Sequence, residues 1–330
     1  MFIQLKAHKA HVYSQTEIDP VKKSIVLIPG AGMDHRTLSM FKLDEIKKTH
    51  NVIAFDLPGH GYTTGPLFTD VESHTDFCID LLNELNLKDL TLAGHSWGAL
   101  IALDLSTKYS NEMTICLNVA YPFTVGDILL DHAKGNLDQA VEFLTKYGVY
   151  KMPETEIKTT GFGVKGSGFY GRSKGEIKSP YGTKTVEADP EREIKLYPLK
   201  RLFNQTEKEI SSIDLNSCTN FRLKEEQINK LANIKYIFCD KDKLARFNPE
   251  NEILKNADLD KDVFMLEETG HFPYFEDPEQ LEKVFLDIFN NYYLYLNLTP
   301  ITLGLLPVLL IPKPLYPELP TPSKSLYLER

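Results

Sequence analysis

The stretch LTLAGHSWGALIALDL, residues 90–105, sets a serine between two glycines in G-x-S-x-G spacing. A serine alcohol is a weak nucleophile until a base takes its proton, so the chemistry to test is acyl transfer through a covalent intermediate. Spacing this loose also arises by chance, and GRSKG at 171–175 is a second match. Context separates the two. Ser96 follows a strand-like run, LTLAGH, and precedes a helical one, ALIALDLSTKY. A nucleophile elbow needs that layout, because a strained strand-to-helix turn lifts the serine oxygen clear of a sheet. GRSKG has neither a strand before it nor a helix after it. GSGFYG at 166–171 fits a dinucleotide-binding spacing and fails the same test. Both read as lid sequence.

The base must come from another strand end. Of nine histidines, His271 in ETGHFPYFEDP directly follows the run DVFMLEE and precedes the last helical pattern. That is the place for a base in the chain order serine, acid, histidine. His8, His11, His50 and His132 read as surface residues, and His35 and His74 lie on or near helices. His95 is inside the elbow, and His60 follows a strand but precedes the serine. The third member must hold the imidazole tautomer and stabilise the imidazolium. IKYIFCDKDKLARFNP offers Asp240 and Asp242, and the residues alone leave both open. An oxyanion hole needs two backbone N–H groups. Position points to Trp97, just after the nucleophile, and to Ala31 in the small-residue loop IPGAGMDH.

These residues need a frame that aligns strand ends. Six short apolar runs read as buried strands: 24–29, 51–56, 90–95, 114–120, 234–240 and 262–267. Helical patterns at 70–87 and 99–109 alternate with them. Continuous apolar strands alternating with amphipathic helices predict a mostly parallel sheet covered on both faces, with ligands at the carboxyl ends of its strands. The alternation stops at Tyr121 and resumes near Asn233, with helical pieces at 127–133, 136–147, 200–213 and 221–231. An insertion between two strands reads as a cap. The expected organisation is a core at 1–122 and 233–298, a cap at 123–232 and a proline-rich tail at 299–330. Asp277 is expected to cap the last helix, with Gln280 completing the capping box.

Composition excludes some alternatives. The chain of 330 residues is 42% hydrophobic and 25% charged, and its net charge of −9 argues against a nucleic-acid partner. Four cysteines without C-x-x-C spacing indicate no zinc site, and the N-terminus lacks the apolar run of a signal peptide. A cytoplasmic protein with reduced thiols is expected. Residues 288–312 carry no charge, but Pro300, Pro307 and Pro312 break the run, which argues against a membrane span.

Taken together, IPGAGMDHRTL, AFDLPGHGYT, LAGHSWGALIAL, FCDKDK and ETGHFPYFEDPEQL resemble the α/β-hydrolase superfamily, from about residue 24 to 290. The resemblance implies Ser96 as nucleophile, His271 as base, and Ala31 and Trp97 as oxyanion donors, with no metal or organic cofactor. It sets the acid three residues after a strand-end glycine. Cys239 holds that place here, so the count points to Asp242, with Asp240 the second choice. Pro29–Gly30 stands where many members have His-Gly. Dehalogenases and epoxide hydrolases of this fold carry aspartate at the elbow, so serine points to a carboxylic ester or thioester. Carbon–carbon bond hydrolysis and a non-catalytic receptor are the alternatives. Seven Lys/Arg against three Glu in residues 151–184 raise an anionic small-molecule substrate, the plainer reading being a solvated lid.

Overall fold

A computed structural model describes residues 1–153, 175–179, 182–186 and 190–297. The chain forms two compact units, Met1–Ile288 and Phe289–Arg330. The candidate site residues all lie in the first. The tail at 299–330, GSGFYG and the first four residues of GRSKG lie outside the described residues.

The chain opens with β1 (Phe2–Gln4) and β2 (Lys9–Ser14), then β3 (Lys23–Ile28) and β4 (His50–Phe55). Helix α1 (Val71–Leu85), β5 (Leu90–His95), α2 (Trp97–Lys108) and β6 (Met113–Leu117) come next. After β6 come α3 (Asp127–Gly135), α4 (Leu137–Gly148), the antiparallel pair β7 (Gly175–Ser179) and β8 (Gly182–Val186), α5 (Pro190–Phe203), α6 (Lys208–Asn220) and α7 (Glu225–Ile228). The chain then returns through β9 (Ile234–Cys239), α8 (Leu259–Asp262), β10 (Val263–Leu266), α9 (Pro273–Glu276) and α10 (Pro278–Asn297).

Eight strands form one sheet in the order β1-β2-β4-β3-β5-β6-β9-β10. Pairing is parallel from β4 to β10 and antiparallel for β1 with β2 and β2 with β4. The six expected strands form within three residues of their expected bounds. β1 and β2 are additions to that set. β1 has three residues, and in β2 only Ala10 and Val12 are fully buried, so neither gives the continuous apolar signal of a central strand.

β4, β5 and β6 are buried at every residue, as a strand covered on both faces must be. α2 is buried from Trp97 to Leu105, because it packs between the sheet and α1. In-register pairs join Ile28 to Gly94, His95 to Leu117, Leu117 to Ile237 and Cys239 to Leu266. The carboxyl ends of five adjacent strands therefore lie level. After β3 the chain moves to β4 on one side, and β5 returns on the other, which opens a crevice at the ends of β3 and β5.

Local differences have physical causes. The expected helix at 200–213 is two helices, α5 and α6, separated by residues 204–207. The expected helix at 221–231 is only α7. Asp277 caps α10 by accepting from the Gln280 amide at 2.9 Å, but the Gln280 side-chain oxygen accepts from Glu267 N instead of closing a capping box. Four histidines were expected at the surface. His8 and His50 are instead buried, and His11 is half-buried.

Candidate active site

Ser96 sits between β5 and α2 with φ +54° and ψ −115°. A non-glycine residue rarely adopts this conformation, and it is held here because the strand and the buried helix fix both sides. The Ser96 amide donates to Leu117 O at 2.9 Å, which ties the elbow to β6. A Cβ at Gly94 would meet the Gly98 carbonyl, and one at Gly98 would meet the carbonyls of Ile28 and Pro29. Both glycines are therefore required for β3, β5 and α2 to close together. Ser96 makes no side-chain bond to the helix that it opens, and 9% of its surface is exposed.

Asp242 and His271 come together from different strand ends. Asp242 Oδ2 accepts from His271 Nδ1 at 2.7 Å, and Oδ1 accepts from the amides of Leu244 and Ala245 at 2.7 and 3.0 Å. Both side chains are buried. Burial alone pushes the Asp242 carboxyl up. The His271 charge, the bond to His271 and the two amides outweigh burial and hold it below the usual carboxylate range. Asp240 does not join them. It is exposed and pairs with Lys241 at 2.6 Å.

The elbow and the His271 loop are neighbours. His95 Nε2 lies 2.8 Å from His271 O, and the two rings are 4.9 Å apart between centroids. Burial, followed by repulsion from His271, pushes the His95 imidazole down to about 3, so it stays neutral. Asn118, after β6, donates to His271 O at 3.0 Å, to Gly270 O at 3.3 Å and to Cys239 Sγ at 3.4 Å. Cys239 thus has a polar contact where the family's glycine would have none.

A second buried carboxylate holds this loop. Glu276 accepts from the amides of Tyr150, Lys151, Gly270 and Phe272 at 2.8 to 3.2 Å, and His271 N donates to Gly148 O at 2.6 Å. The chain that leaves α4 is therefore fastened to the histidine loop. Burial pushes the Glu276 carboxyl up against the pull of these amides. A carboxyl whose native pKa is raised binds its proton more tightly in the folded chain. Its contribution to stability is present at low pH and is lost as pH rises through the raised value. Glu276→Gln lacks this titration. Urea unfolding between about pH 4 and 7 is therefore expected to show the variant gaining on the wild type as pH rises. A difference that shrinks with pH would reject the assignment.

Neither the Ala31 nor the Trp97 amide donates to a backbone or side-chain acceptor among the described residues. Trp97 N is the first donor of α2, where the helix has no internal acceptor for it. Lys151, the first cation of the basic segment, pairs with Asp277 at 2.6 Å. One group among the described residues has ligand atoms close enough for a metal: His11, His35 and Asp56, all within 4.8 Å. Asp56 accepts there from both imidazoles at 2.8 and 2.7 Å and from the amides of His35 and Tyr62, so its oxygens are already engaged. Reasoning from sequence misses Glu276, Asn118 and Asp214. None sits in a spacing that announces a role, and each holds at least one group brought to it from a distant part of the chain.

Comparison with known proteins agrees with this frame. Residues 25–284 match the Alpha/beta hydrolase family. An (E)-2-((N-methylformamido)methylene)succinate hydrolase from Acinetobacter baylyi is 36% identical over 99 residues, 29% of this chain and 35% of that protein. Epoxide hydrolase 2 from Caenorhabditis elegans is 29% identical over 133 residues, 38% of this chain and 36% of that protein. The chain thus spans about a third of the length of the curated relatives it matches. An enol-lactonase from Burkholderia xenovorans superposes with a TM-score of 0.64 at 15% identity, covering 88% of this chain and all of that one. Among the described residues no helix is long and apolar enough to cross a membrane. With its sheet order, its elbow and this match over most of its length, the chain belongs to the alpha/beta hydrolase family.

Proposed function

We propose that the chain is a serine hydrolase that cleaves a small-molecule carboxylic ester or thioester through an acyl-enzyme on Ser96. The observation that carries this reading is the buried Asp242–His271 pair, held at the strand ends beside the elbow that presents Ser96. Asp242 accepts the Nδ1 proton of His271, so Nε2 is left with its lone pair free to take a proton. Ser96 Oγ attacks the carbonyl carbon while its proton passes to Nε2. The Ala31 and Trp97 amides receive the oxyanion, and α2 points its positive end at the same place. The intermediate collapses, and His271 returns the proton to the departing alcohol or thiol. Water then attacks the acyl carbon while His271 takes its proton, and collapse of the second tetrahedral intermediate returns that proton to Ser96 Oγ and releases the acid.

Residues 123–232 are proposed as a cap that shapes the acyl pocket. Epoxide hydrolases are among the relatives, yet Ser96 occupies the place where an epoxide-opening member would have aspartate. The succinate-derivative hydrolase is named for a formamido compound and the lactonase of the same fold for a lactone, and an ester or thioester is proposed here.

The test is a panel of p-nitrophenyl esters from acetate to octanoate, with styrene oxide and a carbon–carbon hydrolase diketone alongside, and labelling by a fluorophosphonate. Ester turnover with about one label per chain is expected. Turnover of the epoxide or the diketone alone would overturn the ester reading.

A further inference from the structure

The insertion between β6 and β9 does more than cover the crevice. From residue 206 to 217 it grips both segments proposed to hold the oxyanion, and the role assigned to it rests on that reading of Ala31 and Trp97. Gly30 to Met33 form a tight turn closed by Met33 N to Gly30 O at 3.1 Å. Gly32 takes its third position with φ +69°, while Ala31 keeps a negative φ. That is a type II turn, and its central peptide, between Ala31 and Gly32, can flip to the type I form. Such a flip would turn over the Ala31 carbonyl and the Gly32 N–H and loosen the turn that carries the Ala31 amide.

Three side chains oppose it. Asp214 Oδ2 accepts from Gly32 N at 2.8 Å, and Thr206 Oγ1 donates to Gly32 O at 2.8 Å. Ser211 Oγ fills the space of a Gly32 side chain, 2.6 Å from where a Cβ would stand. On the other side of the crevice, Trp97 Nε1 donates to Ser217 Oγ at 2.7 Å, and Ser217 donates to Asp214 O at 2.8 Å. His60 completes the junction. Its Nε2 lies 2.8 Å from Asp214 Oδ2, the carboxylate oxygen that accepts from Gly32 N, and its ring stacks on Trp97 at 5.7 Å. Asp214 is buried, and its second oxygen has no partner among the described residues. Packing alone would be served by an apolar residue. A buried carboxylate that spends one oxygen on two loops and leaves the other unused acts by holding those loops.

We propose that Thr206, Asp214 and Ser217 are positioning residues that clamp the two oxyanion donors, so that the insertion is part of the catalytic machinery. They touch no reacting atom. They fix the Ala31 turn and the Trp97 end of α2 at the distance the oxyanion requires.

The experiment compares Asp214→Ala, Asp214→Asn and the double variant Thr206→Val/Ser217→Ala with wild type, on the best p-nitrophenyl ester. Loss of one oxyanion donor typically costs about 10²- to 10³-fold in kcat, so Asp214→Ala, which only loosens the turn, is expected to lose at least about tenfold in kcat with KM within about threefold. Asp214→Asn is expected to stay within about threefold, because both bonds fall on one oxygen that asparagine retains. The double variant is near-isosteric and keeps the fold if Asp214→Ala does not. It is expected to lose about three- to tenfold in kcat and to shift the emission of Trp97, the only tryptophan in the chain. Wild-type kcat in the double variant, or losses confined to KM, would overturn the clamp. Ser96→Ala distinguishes the two levels. If it abolishes turnover while the clamp variants stay at wild-type kcat, the serine reading stands and the clamp falls. If it leaves turnover intact, the serine reading fails first.

Discussion

Ser96→Ala is expected to lower kcat/KM on p-nitrophenyl esters by about 10⁵-fold and to abolish fluorophosphonate labelling. At about 1.4 kcal/mol per factor of ten, that is about 7 kcal/mol of transition-state stabilisation. The size reflects the role. In the proposed mechanism no covalent intermediate forms without the serine oxygen, and what remains is the activity that the proposed oxyanion amides and binding supply. The fold should be little affected, since Ser96 makes no side-chain bond to α2 and alanine removes one polar atom. Far-UV circular dichroism checks this beside the kinetics. Three other outcomes are informative. Unchanged turnover would reject Ser96 as the nucleophile. Labelling of wild type without ester turnover would mean a reactive serine with a narrower substrate. Neither labelling nor turnover would favour a binding protein that uses the same crevice.

Asp242→Asn is expected to lower kcat by about 10⁴-fold, and Asp240→Asn by less than about threefold. The two carboxylates are two residues apart, so the pair is an internal control for charge and local sequence. Asparagine at 242 keeps the shape but can turn its amide N–H toward His271 Nδ1. The imidazole is then held in the tautomer that carries its proton on Nε2, where it cannot accept one from Ser96. Asp240 pairs with Lys241 and accepts from Thr269 N at a long 3.4 Å, and an exposed pair of this kind contributes little. The pH dependence has a definite sign. Because the Asp242 carboxyl lies below its usual range in the folded chain, its contribution to stability is present above the unfolded value and is lost as pH falls through the lower folded one. Acid unfolding of Asp242→Asn should lack that component. Equal losses of kcat at 240 and 242 would reject the assignment.

Much of the frame is legible in the residues alone. The parallel sheet can be read because strands buried on both faces are apolar throughout, and that signal is local. The elbow can be read because Gly94, Ser96 and Gly98 are close in sequence and sit where a strand run meets a helix run. His271 can be placed by the same logic, as a histidine just after the last strand. Each inference needs only a few consecutive residues.

The remainder depends on contacts between distant segments. Nothing in CDKD separates Asp240 from Asp242 until the loop after β9 turns one carboxylate inward to His271 and leaves the other beside Lys241. His8 and His50 lie in polar surroundings in the sequence, yet both are buried, His8 against the rings of Phe68 and Phe77 and His50 at the start of β4, an internal strand of the sheet. Glu276 looks like an ordinary acid before a helix, until the amides of Tyr150 and Gly270 converge on it from 126 and 6 residues away. Asp214 is the hardest to see. The helical pattern read from the sequence ends at residue 213, and the buried face of α6 mixes Ser211, Asp214 and Ser217 with Ile210, Leu215 and Cys218, so apolar periodicity does not single it out. The sequence by itself determined the sheet, the elbow and which residue types stand at the strand ends, because burial and strand-to-helix junctions leave local signatures. The tertiary structure alone decided which acid meets the histidine and which distant carboxylates hold the loops. A hydrogen bond between segments 29 residues apart, as for Asp242 and His271, or 182 apart, as for Gly32 and Asp214, is set by where the chain returns, and no local pattern records that.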